Sequence, residues 1–85
     1  MPRILITHAV VDIERWLKGK ADRAAAIGTN VTDYVAQDGS NNIAVTAEVD
    51  DLDAAQAMMA SPPSEVAAKM EEHGVIPPLT VYIEA

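Results

Sequence analysis

Apolar and polar side chains alternate along residues 3–10, a segment rich in β-branched types. Alternation with a period of two puts one set of side chains on each face of a strand, so this segment is predicted as the first strand. Segments 31–37 and 43–49 are predicted as the second and third strands, and 79–84, which alternates cleanly, as the fourth. The intervening segment 38–42, DGSNN, carries residues that tolerate turn conformations, so the second and third strands are predicted to form a hairpin.

Helical spacing of apolar residues predicts one continuous helix over 12–27. Asp12 can cap its start with a carboxylate, and Gly28 suits its end. Four of the chain's six basic residues fall in this segment: Arg15, Lys18, Lys20 and Arg23. Because acids are interleaved with them, these bases are interpreted as a solvated helix face rather than as an anion-binding patch.

A second helical region is predicted to be broken in its middle. Asp50 or Asp51 can cap a short, alanine-rich helix, and Ser61-Pro62 then forms a fresh cap with proline at the first helical position. The helix that begins there is predicted to run to His73 and to stop at Gly74.

The element order is therefore β-α-β-β-α-β, with residues 1–85 forming one domain. This order predicts the α+β class, with a ferredoxin-like antiparallel sheet of four strands and helices on one face. One strand-parity set is strongly apolar and suits the helix-packed face: Val31, Val35, Val45, Val49, Leu79, Val81 and Ile83. The opposite set is mixed: Thr32, Tyr34, Ala36, Ala44, Thr46, Glu48, Thr80, Tyr82 and Glu84.

The composition indicates a marginal core. A chain of 85 residues buries only about 60–65% of the surface that it exposes when unfolded. The chain has 15 Ala, no Phe and no Cys, so its side chains bury little area each and no disulfide can reinforce the fold. We therefore expect a homodimer in which two copies pack through the mixed sheet face and leave a lined cavity.

Charge excludes several classes of partner. A net charge of −7 repels phosphate backbones, so no nucleic-acid partner is expected. No apolar run is long enough for a membrane span and no export signal is recognisable, so we expect a cytoplasmic protein without membrane contact. The acidic residues around 48–53 lack the ligand spacing of a calcium loop and are interpreted as helix caps, so neither a metal nor another cofactor is predicted.

Three stretches carry a family resemblance: HAVVDIERW, the acidic VDDLDAA with the SP break that follows it, and the GVIPP return into the last strand. Together with the element order they resemble small stand-alone proteins of the dimeric α+β barrel superfamily, in the antibiotic biosynthesis monooxygenase-like group. The resemblance covers nearly the whole chain. It implies two sheets that face each other in a dimer, and a chemistry that ranges from cofactor-free oxygenation of phenols to cyclisation.

Five residues are candidates for the site. His8, at the end of the first strand, is a candidate general base, or else a buried histidine satisfied by backbone groups. Asp12 is a helix cap or a partner of His8. Trp16 either packs in the core or stacks on a ligand. Tyr34 and Tyr82 lie on the mixed face, where their hydroxyls either orient a phenol or quinone or pack in the dimer.

The leading functional hypothesis is a homodimer that binds a small apolar or aromatic molecule between the sheet and the first helix. As an enzyme it would be a cofactor-independent monooxygenase or a cyclase-like protein, in which His8 deprotonates the substrate and Tyr34 or Tyr82 stabilises the oxyanion. The alternative is a non-catalytic ligand-binding or interaction module, which is favoured if His8 lies under the helices. A third hypothesis is a tautomerase that uses Pro2 as an N-terminal amine.

Overall fold

Strand alternation and helix caps produce eight regular elements in the computed structural model, which describes residues 2–85. In chain order they are β1 (Arg3–Val10), α1 (Ile13–Leu17), α2 (Lys20–Ile27), β2 (Thr29–Val35), β3 (Asn42–Glu48), α3 (Leu52–Ala60), α4 (Ser64–Glu72) and β4 (Val75–Ile83). The predicted α+β class is confirmed. No helix within residues 2–85 is long and apolar enough to cross a membrane.

The four strands form one antiparallel sheet in the order β2-β3-β1-β4. β3 therefore lies between β1 and β2, and β1 lies between β3 and β4. The two strands of each β-α-β unit are thus separated by one strand of the other β-α-β unit. This sheet with its helices is compatible with the predicted ferredoxin-like arrangement. Its register places Ile6 opposite Val45 on one side and opposite Val81 on the other.

The core lies on the helix-packed side of the two central strands. Its fully buried apolar residues are Ile4, Ile6, Val10, Trp16, Ile43, Val45, Ala47 and Val49. Burying one such aliphatic side chain contributes about 1.5–3 kcal/mol. Most of these residues alternate along β1 and β3, so the period-two pattern locates the core on the central strands. On the edge strands it is less accurate, because Val35 and Ile83 of the predicted helix-packed set are 52% and 48% exposed.

The first helical segment is not continuous, so the predicted single helix over 12–27 is wrong. It divides into α1 and α2 at Lys18 and Gly19. The Gly19 amide donates to the carbonyl of Trp16 at 3.0 Å, which closes a tight turn in place of a helical one. A side chain at position 19 would run into the ring of His73, so glycine is required there by a contact from the far end of the chain.

The second helical region is broken between α3 and α4, as predicted, but Ser61 is not the cap of α4. Pro63 occupies the N-cap of α4, and no side chain caps that helix. Asp51 caps α3 by accepting a hydrogen bond from the Ala54 amide at 3.1 Å. Gly74 follows α4 with a φ of 75°, the left-handed conformation that ends many helices.

The largest differences between predicted and observed strand boundaries are in β2 and β4, whereas β3 is shifted by one residue. β2 begins and ends two residues earlier than expected, at Thr29 and Val35. β4 begins at Val75 rather than at Leu79 and includes the two prolines that the pattern placed outside it. Prolines lack the N–H that a ladder needs, and the β1–β4 ladder shifts register opposite them, between Thr7 and Ala9.

The sheet face opposite the helices carries the mixed residue set that was predicted for it. Tyr34 pairs with Ala44, and Tyr82 pairs with Leu5. The two tyrosines are 51% and 55% exposed, so their rings form an apolar surface on the sheet face that the helices do not cover.

Candidate functional site

A cavity of about 330 Å³ lies between the helix-packed face of the sheet and the helices α2, α3 and α4. Its lining is predominantly apolar and includes Ile6, Ile27, Val45, Met58, Met70 and Leu79. Neither α3 nor α4 has a fully buried side chain, so these helices cover the cavity without filling it. One chain forms this cavity, on the side of the sheet opposite the face that was expected to pair in a dimer.

His8 supplies a proton acceptor at the sheet side of the cavity. It is half-buried and lines the cavity from the point where the β1–β4 ladder shifts register, a local irregularity common next to active sites. Its Nδ1 lies 2.8 Å from the carbonyl oxygen of Ala9. A carbonyl can only accept a hydrogen bond, so Nδ1 carries the hydrogen in the neutral ring and Nε2 carries the lone pair.

Burial lowers the pKa of His8 below its ordinary value of 6.5, and the positive charge of Arg23 acts in the same direction. The hydrogen bond to the Ala9 carbonyl opposes this shift without cancelling it. The imidazole is therefore neutral near pH 7, and Nε2, which makes no hydrogen bond within residues 2–85, is free to accept a proton.

Trp16 is completely buried beside His8 and also borders the cavity. The two rings meet edge to face, with centroids 6.3 Å apart and planes at 82°. The guanidinium carbon of Arg23 lies 3.9 Å from the centroid of the Trp16 ring, in a cation–π contact. Trp16 thus holds both roles considered for it, as a core residue and as part of the cavity wall.

Arg23 is a site residue that the sequence analysis missed, and its interpretation as part of a solvated helix face is wrong. Only 8% of it is exposed. It forms a bidentate ion pair with Asp33, at 3.2 and 3.0 Å, and donates to the Trp16 carbonyl at 2.7 Å. These bonds use three of the five N–H groups of Arg23. Arg23 lines the cavity, and its other two N–H groups are available as hydrogen-bond donors there.

The other predicted site residues do not line the cavity. Asp12 is the N-cap of α1 and accepts a hydrogen bond from the Glu14 amide at 3.2 Å. No hydrogen bond joins Asp12 to His8 in the part of the chain that the structure describes. Tyr34 and Tyr82 lie on the opposite face of the sheet. The structure therefore brings together His8 and Trp16 and separates them from the remaining three.

A second titratable group stands where α2 and α4 meet at the edge of the cavity. The Nε2 atom of His73 lies 3.4 Å from a carboxylate oxygen of Asp22, and the same oxygen lies 3.6 Å from the ammonium of Lys69. All three residues line the cavity. His73 was predicted only as the last residue of a helix, because no local pattern links it to an aspartate so far away along the chain.

Comparison with protein-family models, with curated proteins and with solved structures found no match. Within residues 2–85, no group of three His, Asp or Glu side chains is close enough together to hold a metal ion. The polar groups that line the cavity include the neutral imidazole of His8, the paired guanidinium of Arg23 and the cluster of Asp22, Lys69 and His73, and the remaining lining is predominantly apolar.

Proposed function

We propose that the protein binds a small, largely apolar molecule with one polar group in this cavity, and that His8 acts on it as a general base. The observation that carries the proposal is the free Nε2 of a neutral histidine in a predominantly apolar cavity of about 330 Å³. Sites for small molecules measure about 300–1,000 Å³ and combine apolar walls with few polar groups, a description that fits this cavity.

The chemistry that suits these groups is the removal of a proton from an acidic hydroxyl or an activated carbon. His8 takes the proton, and a general base contributes about 10²–10⁴-fold to a rate. We assign to the remaining N–H groups of Arg23 the stabilisation of the oxyanion that results, a role that was predicted for Tyr34 or Tyr82. Trp16 excludes water at the same point. Deprotonation is also the first step that a cofactor-independent monooxygenase or a cyclase-like enzyme would use.

Binding is tested with the protein labelled with ¹⁵N. Trp16 is the only tryptophan, so the single indole cross-peak reports on the cavity wall. We expect 2-naphthol to shift this peak. His8→Gln is expected to weaken the binding of 2-naphthol about 2- to 10-fold, which corresponds to the loss of one neutral hydrogen bond. Tyr34→Phe, on the other sheet face, is the matched control and leaves the affinity unchanged. An indole peak that does not respond to saturating 2-naphthol contradicts the proposal.

We also propose that the chain is ferredoxin-like and forms a dimeric α+β barrel. The support is the split β-α-β units of the sheet and the open face on which Tyr34 and Tyr82 are half exposed. Size-exclusion chromatography with light scattering at micromolar concentration tests this: we expect a dimer, and a monomer after Tyr82→Arg. A folded wild-type monomer under these conditions would rule the dimer out.

The second candidate function is a non-catalytic ligand carrier. It is favoured by the position of His8 under the helices, where Ala9 satisfies one ring nitrogen. The cavity also lies between the helices and the sheet, so His8 can still contact a ligand from this position. Turnover of a bound ligand separates the two functions, because a carrier releases its ligand unchanged. The tautomerase hypothesis based on Pro2 stays a prediction, and Pro2 is not among the residues that line the cavity.

A further inference from the structure

Both histidines of the chain line the same cavity, although nothing in the sequence connects them. They flank the junction between α1 and α2. The ring of His8 meets the ring of Trp16, and the ring of His73 packs against Gly19, whose amide donates to the carbonyl of Trp16. Both imidazoles therefore border the cavity, and each contacts the same short segment of backbone, residues 16–19.

The two imidazoles have different partners. His8 faces a carbonyl through Nδ1 and leaves the lone pair of Nε2 free. His73 faces the carboxylate of Asp22 through Nε2, at 3.4 Å, and its Nδ1 makes no hydrogen bond within residues 2–85. In a protonated ring both nitrogens carry hydrogens, so Nε2 then donates to Asp22 and Nδ1 has a proton to give. His8 can thus accept a proton when its ring is neutral, and His73 can donate one when its ring is protonated.

From this arrangement we infer that the protein is a keto–enol isomerase for small, apolar carbonyl compounds, with His8 as the base and His73, paired with Asp22, as the acid. The inference rests on the proposed binding function. It assigns to His73 a catalytic role and narrows the ligand to molecules with a hydrogen on the carbon next to a carbonyl group.

The step needs no oxidant or cofactor. Nε2 of His8 takes the proton from that carbon, and the electron pair of the broken C–H bond becomes the C=C bond of the enol. The π pair of the carbonyl moves onto oxygen, which takes the proton from Nδ1 of His73. Return of a proton from His8 to carbon, and of the hydroxyl proton to His73, completes the cycle and restores both rings.

Surrounding charges keep the two rings distinct. Arg23 faces His8, and its own charge is paired with Asp33. Asp22 faces His73 and also pairs with Lys69 across the cavity edge. Each imidazole therefore lies near an ion pair, and the rest of the lining is predominantly apolar, which favours an uncharged ketone over a carboxylate or an amine.

The test uses 2-tetralone, a neutral bicyclic ketone with acidic hydrogens beside its carbonyl. In D₂O the protein is expected to accelerate replacement of these hydrogens by deuterium, followed by ¹H NMR. His8→Gln and His73→Gln are each expected to slow the exchange about 10²-fold or more, the usual contribution of one acid or base. Asp53→Asn, which removes a carboxylate from the first turn of α3, is the charge-matched control and leaves the rate unchanged.

Affinity for 2-tetralone, read from the Trp16 indole peak, separates binding from chemistry. Binding with no acceleration of exchange overturns the isomerase and leaves the binding function standing, whereas absence of binding removes both. Exchange that His8→Gln abolishes but His73→Gln leaves unchanged overturns the role of His73. If His73→Gln fails to fold by circular dichroism, Asp22→Asn replaces it: a loss of about 10-fold or more with unchanged affinity supports the pair, and an unchanged rate rejects it.

Discussion

Replacing Asp33 with asparagine tests whether the Arg23–Asp33 pair holds the site together. The side chains are 9% and 4% exposed, so the pair is buried on both sides. Removing one partner of such a pair costs about 3–5 kcal/mol, because the other charge stays buried without compensation. Arg23 borders the cavity, where water can reach it, so we expect Asp33→Asn to lower the free energy of unfolding by about 3 kcal/mol, the lower end of that range.

This loss is large for so small a chain. At about 0.05–0.15 kcal/mol per residue, 85 residues have a free energy of unfolding of about 4–13 kcal/mol. With a dependence on urea of about 1 kcal/mol per molar, the midpoint of unfolding is expected to fall by about 3 M. The assay is urea unfolding followed by far-ultraviolet circular dichroism, because Trp16 fluorescence itself depends on the contact with Arg23.

Two further variants complete this experiment. Lys69→Met removes two exposed ion pairs, with Asp22 and with Glu72, and is expected to leave the midpoint unchanged. The double variant Arg23→Met, Asp33→Leu leaves no unpaired charge in the interior and is expected to be more stable than Asp33→Asn. If Asp33→Asn shifts the midpoint no more than Lys69→Met does, the ion pair does not support the fold and this reasoning is refuted.

Three other changes probe the same region. Because the pKa of His8 is lowered in the folded chain, its contribution to stability is complete above pH 6.5 and is lost as the pH falls below that value. The urea midpoint of wild type should therefore fall relative to His8→Gln between pH 7.5 and 5, and parallel curves would contradict this. Gly19→Ala should destabilise the fold by about 1–3 kcal/mol through its clash with His73, and His73→Ala should relieve that loss. Gly74→Ala should lower the melting temperature more than Gly74→Asn, because asparagine tolerates a positive φ better; equal losses would contradict this.

Local patterns were enough to predict most of the architecture. Alternation located β1 and the β2–β3 hairpin, because each face of a strand meets one environment over its whole length. The position of Asp51 located the start of α3 for a similar reason, since a capping bond spans only three residues. The division of the first helix was missed, although Gly19 in its middle was a local signal for a break. The ring of His73, which a side chain at position 19 would meet, comes from the far end of the chain and left no such signal.

The site was predictable only in part, because its polar groups meet across long separations in sequence. His8 was found from its place at a strand end. One signal for Arg23 was present and not used: Asp33 shares strand parity with Val31 and Val35, so an acid faces the helices. A carboxylate on a buried face needs a cation, and the bases of the preceding helix were the available partners. The pairing of His73 with Asp22 left no comparable signal.

The alanine-rich composition that makes the core marginal also explains why the cavity exists. The central strands present branched side chains such as Ile6 and Val45, whereas α2 faces the cavity in part with Ala25 and Ala26. Short side chains on a helix cannot span the distance to the sheet, and the flexible side chains of Met58 and Met70 line the gap without closing it. Space therefore stays unfilled between the helices and the sheet, next to His8 and Arg23. In a core selected for stability alone such a gap would be filled, so the retained space, with a free imidazole nitrogen at its sheet side, is the feature that most strongly favours a bound molecule.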